Sequence, residues 1–209
     1  MKNKNLRKLA IIAMLSGIMI VMQVTGIGMI PLPMFKLTVM HIPVILGAIV
    51  LGPGAGAILG CVFGLCSIWA NTTTPGIMSV FFSPFLTVSG IAGATKAVWV
   101  SLCCRILMGL LTGWIWRFLG KLKLRDLIRL PITAVLGTLL NTVLVLGSIC
   151  LLFPSEYAQM NGATVEALFS IVGATVATNG LAEALAAAVL VTGIGKPLLH
   201  FGLRGVEPQ

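Results

Sequence analysis

The sequence predicts an all-α integral membrane protein, a single bundle of six transmembrane helices with both termini cytoplasmic. Composition is the first ground. Hydrophobic residues fill 58% of the 209 positions, charged residues only 9%, and mean hydropathy is +1.08. A soluble domain carries about 25% charged residues. The second ground is segmentation, because the chain divides into apolar stretches separated by breaker-rich or basic segments. The third is where the charges fall. Lys2, Lys4, Arg7 and Lys8 precede the first stretch, Arg117, Lys121, Lys123, Arg125 and Arg129 cluster at one interior break, and Lys196 and Arg204 follow the last. An even number of spans between groups puts them all on one face, and only Lys36 and Lys96 fall in breaks assigned to the other. That is the positive-inside asymmetry. The net charge of +9 therefore meets anionic headgroups or an acidic partner, with no nucleic acid implied.

The spans follow in order within one membrane domain, 1–209. The first, 9–29, has basic residues before it like a signal peptide, but its apolar run is too long for one. It ends at Pro31-Leu32-Pro33, and 31–38 forms an outward loop with Phe35 and Lys36. The apolar run from His41 to Ala70 breaks at Gly52-Pro53-Gly54, because proline lacks an amide donor and glycine favours turns. This gives a short span, 41–52, and a fuller one, 54–70, with a single kinked helix as the alternative. The segment 77–95 holds Phe81, Phe82, Pro84 and Phe85 and suits extended or re-entrant structure. Spans 97–119, 131–153 and 167–199 complete the bundle, with an outward loop at 154–164 carrying Glu156, Tyr157 and Asn161.

Two lone charges stand out. Arg105 and Glu183 each interrupt an otherwise apolar span, and a charge at bilayer depth normally faces a protein interior and marks a substrate or ion path. Arg105 stays protonated in practice. It either pairs with Glu183 or receives an anion, its planar fork binding two carboxylate oxygens at once; the two coexist if a ligand bridges or displaces the pair. Asn179 lies four residues before Glu183, so they share a helix face, and Asn141 in the fifth span can reach the same cavity. Each asparagine serves either as helix–helix glue or in recognising amides and hydroxyls. Trp69 and Asn71 end the third span, where a tryptophan is either an interfacial anchor or part of a ligand entrance. Tyr157, the sole tyrosine, could close over a ligand. Ala13 and Gly17 form a small-xxx-small step that admits close helix approach, within the bundle or against another membrane protein.

Other chemistries find no support. Cys61, Cys66, Cys103, Cys104 and Cys150 all sit in apolar stretches without a CxxC pair and read as buried thiols. No P-loop is present, since Gly193-Ile194-Gly195-Lys196-Pro197 lacks its spacing. There is no HExxH or GxSxG, and His41 and His200 have no metal-ligand neighbours. No catalytic constellation, cofactor or metal is expected.

These residues together resemble the substrate-binding S components of energy-coupling factor (ECF) vitamin transporters. The likeness rests on His41-Ile42-Pro43-Val44-Ile45-Leu46-Gly47-Ala48 leading into Gly52-Pro53-Gly54-Ala55-Gly56-Ala57, on Arg105 with Gly109, on Asn141, and on Asn179-Gly180 with Glu183. Its look is closest to the pantothenate-type members. The resemblance implies a vitamin bound from outside, in a pocket built by spans 4 to 6 under the loops after spans 1 and 5. It implies docking through span 1, by an AxxxA-like step, onto a membrane coupling subunit that carries two ATP-binding subunits, in a prokaryotic plasma membrane. Here Gly17 replaces the second alanine of that step. With pantothenate, Arg105 would hold the carboxylate, and Asn141, Asn179 and Glu183 the amide and hydroxyls. The alternatives are another vitamin, such as riboflavin or folate, or an autonomous permease driven by protons through Glu183 and Arg105.

Overall fold

A computed structural model describes residues 2–31, 36–87, 89–122, 124–162 and 164–200. Phe35, Lys123 and Arg204 lie outside the described residues. Among the described residues the regular structure is helical apart from one pair of short antiparallel strands. Helix α1 (Lys2–Thr25) leads to strands β1 (Met29–Pro31) and β2 (Lys36–Thr38), then α2 (His41–Leu51) and α3 (Pro53–Thr73). Gly90–Val98, a π-helical turn Trp99–Cys103 and Cys104–Lys121 run on as one helix, α4 (Gly90–Lys121). Next come α5 (Asp126–Leu152) and the short α6 (Pro154–Met160). The last helix, α7 (Val165–His200), contains a second π-helical turn at Val176–Gly180. Five of these, α1, α3, α4, α5 and α7, are long and apolar enough to cross a membrane.

Helix boundaries have local causes. α1 stops at Thr25 rather than near residue 29 because Gly26 turns the chain at φ 74°. Gly52, at φ 92°, separates α2 from α3, and Pro53 opens α3 where its missing N–H is no loss. The break is therefore a corner between two helices. They run back along each other, since a Cβ on Gly56 would meet Ala48 Cβ at 2.8 Å. The expectation of extended or re-entrant structure over 77–95 fails at its C-terminal end. Ile77–Phe81 is a single 3-10 turn, but helix resumes at Gly90, where the sequence turns from aromatics and proline to the alanine-rich Gly90-Ile91-Ala92-Gly93-Ala94. α5 likewise begins at Asp126 and carries Pro131 within it.

α2 is the hub. All its residues are buried, as befits a helix that is apolar all round. Ile45, Leu46 and Ile49 pack with Leu130, Ala134, Ala187 and Val191 of α5 and α7, while Val44 packs with Leu15, Met19, Leu59, Phe63 and Met108. At its far corner, Val50, Leu51 and Ala55 are covered by Ile11 and Ile12 of α1 and Leu198 of α7. The first and last long helices thus bring both ends of the described chain to one end of the bundle. Arg129 and Lys196 gather there too, because Gly195 packs on Leu130 at 2.8 Å from an added Cβ.

The tightest joint is between α3 and α4, which run antiparallel. Gly56, Gly60 and Gly64, four residues apart, face the backbone of Gly109, Arg105 and Ser101 in turn, and Gly113 faces Pro53. A Cβ on Gly60 would fall on the Arg105 carbonyl oxygen and come within 2.8 Å of its carbon. Gly60→Val should therefore destabilise the protein by about 1–3 kcal/mol, as overpacking does, read as a lower unfolding midpoint in detergent. Gly147→Ala, where a Cβ meets nothing within 4 Å, should leave that midpoint unchanged or slightly raised.

Candidate binding site

α2 has 11 residues and rises only about 16 Å, half the length of α3. It therefore stops at His41 partway through the bundle.

Arg105 is 6% exposed. Its Nη1 donates to the Val100 carbonyl at 2.6 Å, and Nη2 reaches Ser67 Oγ at 3.5 Å. The guanidinium lies 5.2 Å from the ring centroids of both Phe63 and Phe82, a desolvated cation–π setting that stabilises by up to about 2 kcal/mol. Val100 belongs to the π-helical turn that precedes Arg105. Such turns are rare and frequent at functional sites. The Nε of Arg105 is buried without a protein partner.

Glu183 does not pair with Arg105 among the described residues. Its Oε1 accepts the backbone N–H of Thr38 at 2.8 Å, tying strand β2 to α7. The carboxylate is thus taken by the hairpin, while the guanidinium is held by α3 and α4. Asn141 is 8% exposed with Oδ1 unpartnered. Asn179 is half-buried in the second π-helical turn, beside Gly180, whose Cβ would lie 3.7 Å from Thr142 and 3.8 Å from Leu139. Asn141 and Asn179 thus stand at one level of α5 and α7. Cys104, next to Arg105, contacts Leu144 O and Ser148 Oγ at 3.5 and 3.2 Å, which sets Arg105 about one helical turn beyond Asn141.

The remaining predicted residues lie elsewhere. Trp69 is 67% exposed and borders a groove of about 550 Å³ between α1 and α3, with Ile20, Gln23, Val24 and Cys66. Asn71 is fully engaged, donating to Ser67 O at 2.8 Å and accepting from Ser79 Oγ at 2.7 Å, so it anchors the 3-10 turn to α3. Tyr157 is buried edge-on against Phe81, centroids 5.9 Å apart, and packs with Phe153 and Leu168 above α4. Close by, Glu156 is held below the usual carboxylate range, chiefly by its own backbone N–H and then by Ser155. Ala13 and Gly17 are both exposed, with nothing within 4 Å of a Cβ on Gly17. Their step is therefore not used to pack α1 inside the bundle, which α1 meets through Leu15 and Met19.

Sequence reasoning gave no role to His41 or Thr138, which the structure joins at 3.0 Å. A histidine opening an entirely apolar helix was the available signal. The glycines at 52, 56, 60 and 64 were another. The two π-helical turns leave no mark in the sequence.

Comparison with known proteins bears on what this site serves. A family model described as the substrate-specific component of ECF transporters matches residues 7–195. The chain is also 36% identical over 199 residues to the pantothenic acid transporter PanT of Lactococcus lactis subsp. cremoris (strain MG1363), covering 93% of this chain and 94% of that protein.

The bond from Thr38 to Glu183 predicts a split between two substitutions. Glu183→Ala should expose the Thr38 amide and raise its hydrogen–deuterium exchange about tenfold, as loss of one hydrogen bond of about 1–1.5 kcal/mol requires. Glu183→Gln keeps an acceptor oxygen and should keep most of the protection.

Proposed function

The chain belongs to the substrate-specific components of ECF transporters, and on that premise we propose that it binds pantothenate with high affinity from outside the cell and delivers it to a coupling module. The observation that carries the reading is the buried guanidinium of Arg105, which has no carboxylate partner among the described residues and whose Nε has no hydrogen-bond partner. A ligand carboxylate supplies both the charge and the acceptor, in the two-pronged geometry that arginine favours. Asn141 and Asn179, at the next level, take the amide and hydroxyl groups. Glu183 contributes by holding β2 and through its second oxygen. Asn71 and Tyr157 shape the roof, and Trp69 lies at its margin.

The membrane arrangement follows the same reading. The hairpin and α2 together make the second of six crossings, with both termini and the basic clusters cytoplasmic in a prokaryotic plasma membrane. The polar level then opens outward. The chain has no P-loop, so transport work comes from a membrane coupling subunit with two ATP-binding subunits. The exposed face of α1 at Ala13 and Gly17 suits that contact, because small residues let another helix approach closely.

Two measurements test this. Titration calorimetry should find pantothenate bound by the purified protein and about 100-fold weaker binding for Arg105→Ala, within the 2–5 kcal/mol that a buried charged partner commands. Arg105→Lys should fall between, since a lysine cannot form the fork. Equal binding by Arg105→Ala would sink the carboxylate assignment. For docking, Gly17→Leu should abolish co-purification with the coupling and ATP-binding subunits while pantothenate affinity stays at the parent value. Retained co-purification rules out this face.

A further inference from the structure

We infer that His41, positioned by Thr138, forms a second recognition point at the inner end of the site and accepts a hydrogen bond from a ligand hydroxyl, so that the ligand lies with its carboxylate at Arg105 and its hydroxyl-bearing end toward α2. The inference rests on the pantothenate reading and gives it a direction.

Thr138 Oγ1 donates to the Ala134 carbonyl at 2.9 Å and lies 3.0 Å from His41 Nε2. A hydroxyl has a single hydrogen. We assign that hydrogen to Ala134, the usual bond of a helical threonine to the carbonyl four residues back, so that Thr138 accepts from the imidazole and Nε2 carries the ring proton. In the neutral ring Nδ1 is then a bare acceptor. His41 is 0% exposed, and Nδ1 has no partner. A buried polar atom without a partner is uncommon in folded proteins and calls for a specific reason. What Nδ1 lacks is a donor.

Asn141 lies one helical turn from Thr138 on α5, and its Oδ1 is likewise buried without a partner. Arg105 stands about one turn further on, with Nε unpaired. The residues that bear the three orphaned atoms therefore stand at successive levels of the bundle, Arg105 offering donors at one end and His41 a lone pair at the other. Pantothenate has a carboxylate at one end, an amide in the middle and two hydroxyls at the other. Its hydroxyl end matches the His41 level and its carboxylate the Arg105 level; the reverse orientation would set a carboxylate against a lone pair. Glu183 supports the subsite from outside it, because Thr38, which it holds, lies three residues before His41.

The test uses the full-length protein and two probes, pantothenate and the N-acyl-β-alanine of the same carbon skeleton that lacks both hydroxyls. The parent protein should prefer pantothenate by at least about 100-fold, since a site built to bond a hydroxyl rejects the analogue without it. In His41→Leu that preference should fall about tenfold or more while affinity for the deoxy analogue holds. Thr138→Val, which frees the ring to turn, should lower the preference in the same direction. Gel filtration and binding of the analogue itself show that each variant is folded. A preference unchanged in both variants overturns the inference while leaving the carboxylate assignment standing. Failure of the parent protein to bind pantothenate overturns the substrate reading and the inference with it.

Discussion

The close approach of α3 and α4 is the constraint on which the rest depends. Gly56, Gly60 and Gly64 bring the two backbones so near that the Arg105 carbonyl occupies the space a Cβ would need. In a bilayer, helix association draws little from the hydrophobic effect and much from such contact. With the backbone of Arg105 pressed against α3, its side chain has one place to go. It lies along α3 toward Ser67 and between the rings of Phe63 and Phe82. The buried guanidinium is thus placed by residues without side chains.

A second constraint sets the depth. α2 fills the bundle's centre from Gly52 only as far as His41, and its buried surface cements α1, α3, α5 and α7 around it. Of the two π-helical turns, one precedes Arg105 and one holds Asn179. Each inserts a residue into a long helix and redirects the side chains that follow. A regular helix through either point would aim Arg105 or Asn179 elsewhere.

Much of this was legible in the sequence, and the omissions have physical causes. Lone charges in apolar stretches are costly, so Arg105 and Glu183 could be read as interior without coordinates. The corner at Gly52-Pro53 followed from backbone chemistry alone. Pairing was not legible, because charge opposition ignores the backbone as a competitor, and the Thr38 amide took the carboxylate. The proline- and aromatic-rich criterion that fitted 77–87 was carried too far, into the alanine-rich start of α4. Asn71 reads as a ligand residue by type, yet its Oδ1 accepts from Ser79 of the turn above α3 while its Nδ2 donates back to Ser67 within α3. The role of Ala13 and Gly17 turned on which face of α1 meets the bundle, and spacing alone cannot decide between two apolar faces.

The separation of Arg105 from Glu183 has a consequence for affinity. Had they paired, a ligand would have to break a buried ion pair before binding, giving back most of what its own carboxylate contributes. Instead the guanidinium is held by a carbonyl, a hydroxyl and two ring faces, groups that orient it without neutralising it. In a medium of low dielectric an uncompensated charge is unfavourable, and the attraction of an arriving anion is correspondingly large. Glu183, held apart on the hairpin side, keeps its negative charge from competing for the same cation.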